Sequence, residues 1–262
     1  MTDEHKEAVR RHFGASADAY VASRTHAEGE DLARLIELAA ATGKEAALDV
    51  ATGGGHTALA LAPHVRRVVA TDLSERMLGR AAEFIRGRGA RNVEYCVADA
   101  EALPFAEASF DLVTCRIAPH HFPDAGRFVR EVGRVLRPGG AFLLEDTLVP
   151  EDAELSGFIE EVERRRDPTH VRAYSLSEWG AWLEAAGLHL ARHEVWRKRH
   201  AFDDWTERTR MASEAKADLV RFIAAAPSRA REHFAFTLVD GHPEGYTDEK
   251  VILRAEKPAG DA

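Results

Sequence analysis

From Glu45 to Asp146 the sequence alternates short, predominantly apolar runs with longer segments whose apolar residues recur at helical spacing. The apolar runs are Ala46–Ala51, Val68–Thr71, Val93–Ala98, Phe110–Arg116 and Ala141–Glu145. Apolar strands separated by helices are typical of a parallel sheet that is covered on both faces. The pattern predicts an α/β fold, whose ligands bind beyond the carboxyl ends of the strands.

A glycine-rich segment, Asp49-Val-Ala-Thr-Gly53-Gly54-Gly55-His56, lies between the first predicted strand and the helix that follows it. Glycine is required where the backbone turns tightly and approaches a ligand without Cβ atoms. The spacing of Gly53, Gly55 and Ala58 also satisfies the dinucleotide fingerprint G-x-G-x-x-G/A. The segment alone therefore predicts a nucleotide-type ligand and leaves its identity open.

Three carboxylates follow successive predicted strands: Asp49, Asp72 and Asp99. Asp49 would repel a pyrophosphate but attract the ammonium of a methionine group. Asp72 lies about 20 residues beyond the glycine loop, where a carboxylate accepts hydrogen bonds from ribose hydroxyls. Asp99 is placed to accept a hydrogen bond from an adenine amino group. Each could instead cap a helix, but all three together favour a cationic sulfonium ligand.

These segments resemble a known series of motifs: ALDVATGGGHTALALA, ATDLSERML, ADAEALPFAEASFDLVTCR and EVGRVLRPGGAFLL. The series is similar to that of class I S-adenosylmethionine-dependent methyltransferases, and most similar to the ubiquinone/menaquinone-type branch. The resemblance covers about residues 10–190. It implies a Rossmann-like, seven-stranded, mostly parallel sheet of order 3-2-1-4-5-7-6, with strand 7 antiparallel, helices on both faces and a helical lid.

The resemblance also assigns positions around S-adenosylmethionine. One departure is Ala51, where the family usually has its first glycine. The implied cofactor-binding residues are Tyr20, Asp49, Ala51, Gly53, Gly55, Asp72, Leu73, Met77, Asp99, Ala100 and Arg116. Among them, Leu73 and Met77 would flank the adenosine.

We expect one methyltransferase domain over residues 1–262, with the cofactor-binding core at 45–149. Residues 1–41 predict an N-terminal helical cap. Residues 150–175 and 200–235 predict insertions that form a lid and a substrate site. Further strands are predicted at 188–197 and 250–256.

Three residues are candidates for catalysis: His120, His121 and Glu145, all near the ends of the fourth and fifth predicted strands. A base is needed only where the acceptor carries a proton at the working pH, and histidine titrates in that range. His121 is interpreted as a structural hydrogen-bonding residue and His120 as the candidate base. Side chains of adjacent loop residues usually diverge, so one histidine is expected to face the cleft. The alternative interpretation of Glu145 is that it caps a helix or forms a salt bridge with the lid.

A cluster of Arg166, Asp167, His170 and Arg172 lies in the first insertion. Its two interpretations are a solvated loop and a binding surface for an acidic acceptor. The four tryptophans are more typical of core or lid packing than of a substrate site.

The formal net charge of −9 and the lack of a concentrated basic face argue against a nucleic-acid partner. No stretch approaches the roughly 20 apolar residues of a membrane span, so a cytoplasmic protein with no membrane partner is expected. Cys96 and Cys115 lie in apolar runs and predict core packing, and the histidine spacings predict no metal site. The expected partner is a small-molecule substrate, and the expected assembly is a monomer or homodimer.

Two other functions remain open from the sequence. One is a nicotinamide-dependent oxidoreductase, because the glycine spacing also fits a dinucleotide. The other is a regulatory protein that binds S-adenosylmethionine without turnover. The sequence does not identify the methyl acceptor or the atom that is methylated.

Overall fold

The computed structural model describes residues 2–21 and 29–260. The strands are β1 (Ala46–Val50), β2 (Arg67–Asp72), β3 (Val93–Val97), β4 (Phe110–Arg116), β5 (Leu136–Leu148), β6 (His189–Ala201), β7 (Thr237–Val239) and β8 (His242–Glu256). The helices are α1 (Thr2–Val21), α2 (Glu30–Ala39), α3 (His56–Leu61), α4 (Glu75–Gly87), α5 (Ala125–Val135), α6 (Ala153–Arg166), α7 (Leu176–Ala185), α8 (Phe202–Arg208), α9 (Ser213–Ala224) and α10 (Ser228–His233).

One mixed sheet organises the fold, with strand order β3-β2-β1-β4-β5-β8-β6. Strands β1 to β5 pair in parallel, and β8 runs antiparallel to both β5 and β6. The predicted Rossmann-like α/β fold is confirmed, and β8 occupies the place of the predicted seventh strand. The expected count of seven is wrong by one, because the short strand β7 also pairs with β8.

The additional strand results from a hairpin at Asp240 and Gly241. Both have positive φ, +50° and +80°, and they connect the paired residues Val239 and His242. An Asp-Gly pair is a strong signal for a two-residue hairpin, since both central residues of that turn need positive φ. The hairpin starts β8 at His242, eight residues before the predicted start at Lys250.

Strand β5 extends beyond its predicted end at Glu145. Pairing with the antiparallel β8 continues to Leu148, opposite Glu249. The prediction that the strand ends at Glu145 is therefore wrong: Glu145 and Asp146 both lie within it, opposite Ile252 and Val251. Their side chains are fixed by the sheet rather than by a loop.

The two faces of the sheet are covered by different helices. Helices α5 and α7 pack on one face, where Phe128 and Leu183 are fully buried. Helices α2, α3 and α4 pack on the other, where Leu35, Leu61 and Ile85 are fully buried. Burying a side chain of this size contributes about 1.5–3 kcal/mol, so these layers hold the sheet edge in place.

A third apolar cluster lies outside the two sheet layers. It joins α6, α8, α9 and α10 to the start of β8, through residues such as Ile159, Phe202, Leu219 and Tyr246. Within the predicted N-terminal cap the two helices differ, since α1 lines a large cavity while α2 packs on the sheet. Across the described ranges, no helix has the length and apolar character needed to cross a membrane.

Candidate active site

A cavity of about 440 Å³ lies at the carboxyl ends of β1, β2, β4 and β5. Its glycine-loop half is lined by Ala51, Gly53, Asp72, Leu73, Ser74, Met77, Ala98, Asp99, Ala100 and Glu101. Its histidine half is lined by His120, His121, Glu145, Thr147, Glu163, Arg166, Asp167, His170, Lys198, His200, Trp205, Arg208, Asp248 and Lys250. Helix α1 covers the cavity with Lys6, Val9, Arg10, Phe13, Ala19 and Tyr20.

The glycine loop has no room for side chains at Gly54 and Gly55. A Cβ atom on Gly54 would lie 2.8 Å from the carbonyl oxygen of Tyr20, and one on Gly55 would lie 2.8 Å from Cδ1 of Ile85. Gly53 and Gly55 also have positive φ, +52° and +84°. The loop therefore turns tightly and packs against α1 and α4 through its backbone.

Two non-glycine residues beside the cavity also have left-handed backbone conformations. Ala51 follows β1 with φ of +53°, and Ile117 follows β4 with φ of +53°. Such a conformation disfavours residues with a Cβ and is uncommon for a β-branched one. It is a conformation that glycine, which the resemblance implies at position 51, adopts more readily than alanine. The nitrogen of Ile117 donates to the carbonyl of Glu145 at 2.7 Å, which holds the strained turn in place.

Asp49 is buried and its two carboxylate oxygens are already engaged. They accept hydrogen bonds from the hydroxyls of Thr52 at 2.6 Å and Thr114 at 2.7 Å. Burial raises the pKa of Asp49 to about 6, against the effect of these two bonds. The side chain lies at a smaller pocket of about 50 Å³, lined also by Tyr20 and Arg116. Contact of Asp49 with a methionine group stays a prediction.

Asp72 lines the main cavity at the end of β2. Its oxygens accept hydrogen bonds from the backbone of Gly53 at 3.1 Å and of Ser74 at 2.9 Å. Burial raises the pKa of Asp72 to about 6, although these backbone bonds favour the ionised form. The carboxylate thus links the glycine loop to the start of α4, beside Leu73 and Met77.

Asp99 has a partner that the sequence did not indicate. The ammonium of Lys6, from α1, bridges Asp99 at 2.7 Å and Glu101 at 2.6 Å. Burial alone would lower the pKa of Lys6, but these two carboxylates raise it above its ordinary value. These ion pairs hold α1 over the part of the cavity that Asp99 and Ala100 line. The periodicity of α1 does not reveal this contact, because Lys6 and Asp99 are 93 residues apart.

Arg116 and Glu145 lie at the junction of the two halves. Arg116 forms a buried ion pair with Asp31 at 2.5 Å and lines the smaller pocket. Glu145 lines the main cavity, 4.0 Å from Arg116, and its buried Oε2 has no hydrogen-bond partner among the described residues. Burial raises the pKa of Glu145 to about 7.

His120 and Asp146 form a buried pair. Nδ1 of His120 lies 2.6 Å from Oδ1 of Asp146, and the backbone nitrogen of His120 donates to Oδ2 at 3.1 Å. Burial lowers the pKa of His120, but the charge and hydrogen bond of Asp146 outweigh it and raise that pKa above its ordinary value. Since Nδ1 is committed to Asp146, Nε2 is the ring nitrogen that can accept a proton.

His121 has a different environment. Its Nδ1 lies 3.0 Å from the carbonyl oxygen of Thr169, and burial together with the neighbouring His120 lowers its pKa to about 3. The expectation that the two side chains diverge is wrong. Their rings lie 4.1 Å apart at a tilt of 49°, and both line the cavity from a short 3₁₀ turn at Pro119–His121. The ring of His170 follows at 5.5 Å from that of His120.

The first-insertion cluster divides between cavity and surface. Arg166, Asp167 and His170 line the cavity, whereas Arg172 bonds Glu178 at 2.7 Å and is not among the lining residues. Arg166 pairs with Glu163 at 3.1 Å and stacks over Trp205 at 4.8 Å. Trp205 itself also lines the cavity.

A charged wall built from β6 and β8 was not predicted from the sequence. His200 bonds Asp248 at 3.0 Å, and Lys250 bonds Asp248 at 2.7 Å and Thr147 at 2.7 Å. Lys198 lines the cavity beside them. The available signal was the spacing of two between polar residues, Lys198 with His200 and Asp248 with Lys250, which places each pair on one face of a strand.

The cavity residues fit S-adenosylmethionine. The glycine loop supplies a backbone surface free of side chains, and Asp72 and Asp99 lie along the same half of the cavity. Carboxylates at these positions favour hydroxyl, amino and sulfonium groups and would repel a pyrophosphate. Within residues 2–21 and 29–260, no group of three histidine, cysteine or acidic side chains is arranged to hold a metal ion.

A family model described as a methyltransferase domain matches residues 48–144. The uncharacterized methyltransferase YcgJ of Bacillus subtilis is 37% identical over 246 residues, which cover 94% of this chain and 97% of the relative. Demethylmenaquinone methyltransferase of Thermotoga maritima is 34% identical over 129 residues, 48% of this chain and 54% of the relative. The crystal structure of a methyltransferase from Bacillus halodurans superposes with a TM-score of 0.86 at 43% identity, covering 88% of this chain and 100% of that one.

These similarities confirm the resemblance predicted from the motifs and decide against a nicotinamide-dependent oxidoreductase. The likeness to YcgJ spans nearly the whole of both chains, so it extends well beyond the glycine loop. The chain belongs to the class I S-adenosylmethionine-dependent methyltransferases.

Proposed function

We propose that the protein methylates a small molecule whose nucleophilic atom carries a proton, such as the hydroxyl of a phenol or quinol. The contact of His120 with Asp146 carries this proposal, since it supplies an oriented base in a buried cavity. The quinone-type acceptor named for the Thermotoga maritima relative supports the same class of acceptor.

The cofactor is assigned to the glycine-loop half. Asp72 accepts hydrogen bonds from the ribose hydroxyls, Leu73 and Met77 flank the adenosine, and Asp99 with Ala100 binds the adenine. Gly53, Gly55 and Ala51 pass under the methionine group, with Asp49, Arg116 and Tyr20 around it. The support is the lining of the main cavity and the smaller pocket by these residues.

S-adenosylmethionine supplies an electrophilic methyl group bonded to a sulfonium. The chain has to align the acceptor with that methyl group, exclude water and remove the proton of the acceptor. Nε2 of His120 accepts the proton, while Asp146 holds the ring through Nδ1 and stabilises the imidazolium. Glu145, whose pKa of about 7 leaves it partly protonated near neutrality, contacts the acceptor at the junction of the two halves.

The regions 1–41, 150–175 and 200–235 act as a cap and lid in this proposal. Helices α1, α6 and α8 supply side chains to the cavity, and a site for methyl transfer must exclude water. Hydrogen exchange with and without S-adenosylhomocysteine should show protection in α1 or in 200–235. Protection confined to 49–116 contradicts a lid.

The test of the base begins with a screen of phenols, quinols and amines for S-adenosylhomocysteine release. With a turned-over acceptor, the pH dependence of kcat/KM is measured for wild type and Asp146→Asn. Removing the carboxylate charge lowers the pKa of His120, so the rise in rate should move to lower pH while the maximal rate falls. Glu160→Gln is the matched control, because Glu160 bonds His170 at 3.0 Å instead. An unmoved profile in Asp146→Asn contradicts the proposal.

A further inference from the structure

Some cations of the histidine half form no ion pair with the carboxylates that line it, which are Glu145, Glu163, Asp167, Glu207 and Asp248. Asp248 already bonds His200 and Lys250, and Glu163 already bonds Arg166 and the hydroxyl of Tyr246 at 3.0 Å. These acids therefore have their counter-charges or donors within the wall.

Three cations that line the cavity remain without such a partner among the described residues: Lys198, Arg208 and Arg210. None of the three has a carboxylate within 4.0 Å in the part of the chain that the structure describes. The polar contact of Arg208 is a long one, 3.5 Å from Nη2 to Nδ1 of His200. Partial burial and the positive charge of Arg166 hold the pKa of Arg208 below its ordinary value.

Two of these cations, Lys198 and Arg208, lie around one region. Lys198 and His200 are two residues apart on β6 and so share a face, and Arg208 approaches that face at His200. Arg166 lies close enough to Arg208 for their charges to repel. Like charges converge on a cavity wall at an energetic cost, which a bound anion offsets through charge-assisted hydrogen bonds.

We infer that the acceptor carries an anionic group, a carboxylate or a phosphate, which Lys198 and Arg208 bind with Arg166 behind them. This inference deepens the proposed function: it adds the substrate class to the same cavity. The anionic group lies against β6 and α8, and the nucleophilic atom points back toward His120. Arginine suits this role because its planar guanidinium presents paired donors to carboxylate and phosphate oxygens.

Inorganic phosphate is the probe. It is titrated at constant ionic strength into protein saturated with S-adenosylhomocysteine, and the indole resonance of Trp205 is followed by NMR. Trp205 lies under Arg166, so it senses binding without turnover. We expect a saturable shift in wild type, and phosphate binding weaker by at least about tenfold in Lys198→Gln and in Arg208→Gln.

The matched control is Arg199→Gln. Arg199 is the next residue on β6, is exposed, bonds the hydroxyl of Thr237 at 3.1 Å and is absent from the cavity lining. Its phosphate affinity should equal that of wild type. Lys198→Arg keeps the charge and should retain binding within about threefold. Arg208→Lys keeps the charge but loses the paired donors, so it should bind phosphate more tightly than Arg208→Gln and more weakly than wild type.

The inference is overturned by a shift that does not saturate, or by equal weakening in Arg199→Gln. It is also overturned if the charge-preserving variants bind as poorly as the glutamine variants. Because binding is measured without methyl transfer, none of these three results affects the assignment of His120 as a base. Conversely, a wrong assignment of His120 leaves the phosphate titration unchanged.

Discussion

The two halves of the cavity are built in different ways. In the glycine-loop half, Asp72 is held by backbone nitrogens and the glycines pack by close backbone approach. In the histidine half, long side chains from β5, β6, β8 and α6 hold one another, as Asp248 does with His200 and Lys250. A backbone surface suits a ligand that every relative shares, whereas a side-chain network can be changed one residue at a time.

The largest effect is expected in the histidine half. His120→Gln should lower kcat by about 10²–10⁴ because it removes the proton acceptor, while the affinity for S-adenosylhomocysteine stays unchanged. Steady-state kinetics and calorimetry check the two parts. His121→Gln is the control and should mainly lower thermal stability, since His121 is neutral and bonds Thr169. Full turnover in His120→Gln with loss of turnover in a folded His121→Gln would reverse the two roles.

The converse effect is expected in the glycine-loop half. Asp72→Ala removes two charge-assisted hydrogen bonds to ribose, each worth about 1.5–3 kcal/mol. Calorimetry should show S-adenosylhomocysteine binding weakened by at least about tenfold, with Glu83→Ala on the exposed side of α4 unchanged. If wild type and Asp72→Ala bind S-adenosylhomocysteine with equal affinity, Asp72 does not bind the ribose.

Because burial raises the pKa of Glu145, the free energy of unfolding should depend on pH through this residue. Its folded pKa of about 7 lies above the ordinary 4.5, so the folded state binds the proton more tightly and wild-type stability falls as pH rises from 4.5 to 7. Glutamine does not titrate. The stability of Glu145→Gln relative to wild type should therefore rise by up to about 3 kcal/mol between pH 5 and pH 8.

Urea denaturation at the two pH values measures this difference. Glu94→Gln, an exposed substitution on β3, should show no such trend. A relative stability of Glu145→Gln that stays constant with pH would mean that Glu145 has a counter-charge in solution.

The smallest effect is expected at Ala51. Its left-handed φ of +53° favours glycine, but glycine also loses more entropy on folding. Ala51→Gly should therefore raise the free energy of unfolding by about 0.5–1 kcal/mol. Ala58→Gly, in helix α3, should lower it by about 1 kcal/mol. Destabilisation by both substitutions would show that Ala51 is not strained.

The sequence predicts the glycine-loop half well because its determinants are local. Asp72 and Gly53, which are hydrogen-bonded, are 19 residues apart within one strand-helix-strand unit. The order of the sheet also follows from the motifs. Strand ends were less predictable, because the extension of β5 depends on pairing with β8 about a hundred residues later.

The histidine half was only partly predictable. His120 was predicted as the candidate base, but its pairing with Asp146 depends on the register between β4 and β5. The bond from Lys250 to Thr147 spans 103 residues, and that from Tyr246 to Glu163 spans 83. Contacts of this length are set by tertiary packing, on which local periodicity carries no information.

The antiparallel pair β6 and β8 has a consequence for how such enzymes diversify. The strands β6 and β8 and helix α8 contribute cavity-lining residues between 198 and 250. This contiguous stretch shares no segment with the glycine loop at 49–56. Under the proposed function, exchange of this one stretch between relatives should change the part of the acceptor site that binds the anionic group and leave the methyl donor in place. Recombination and insertion within a gene can thus act on substrate range alone.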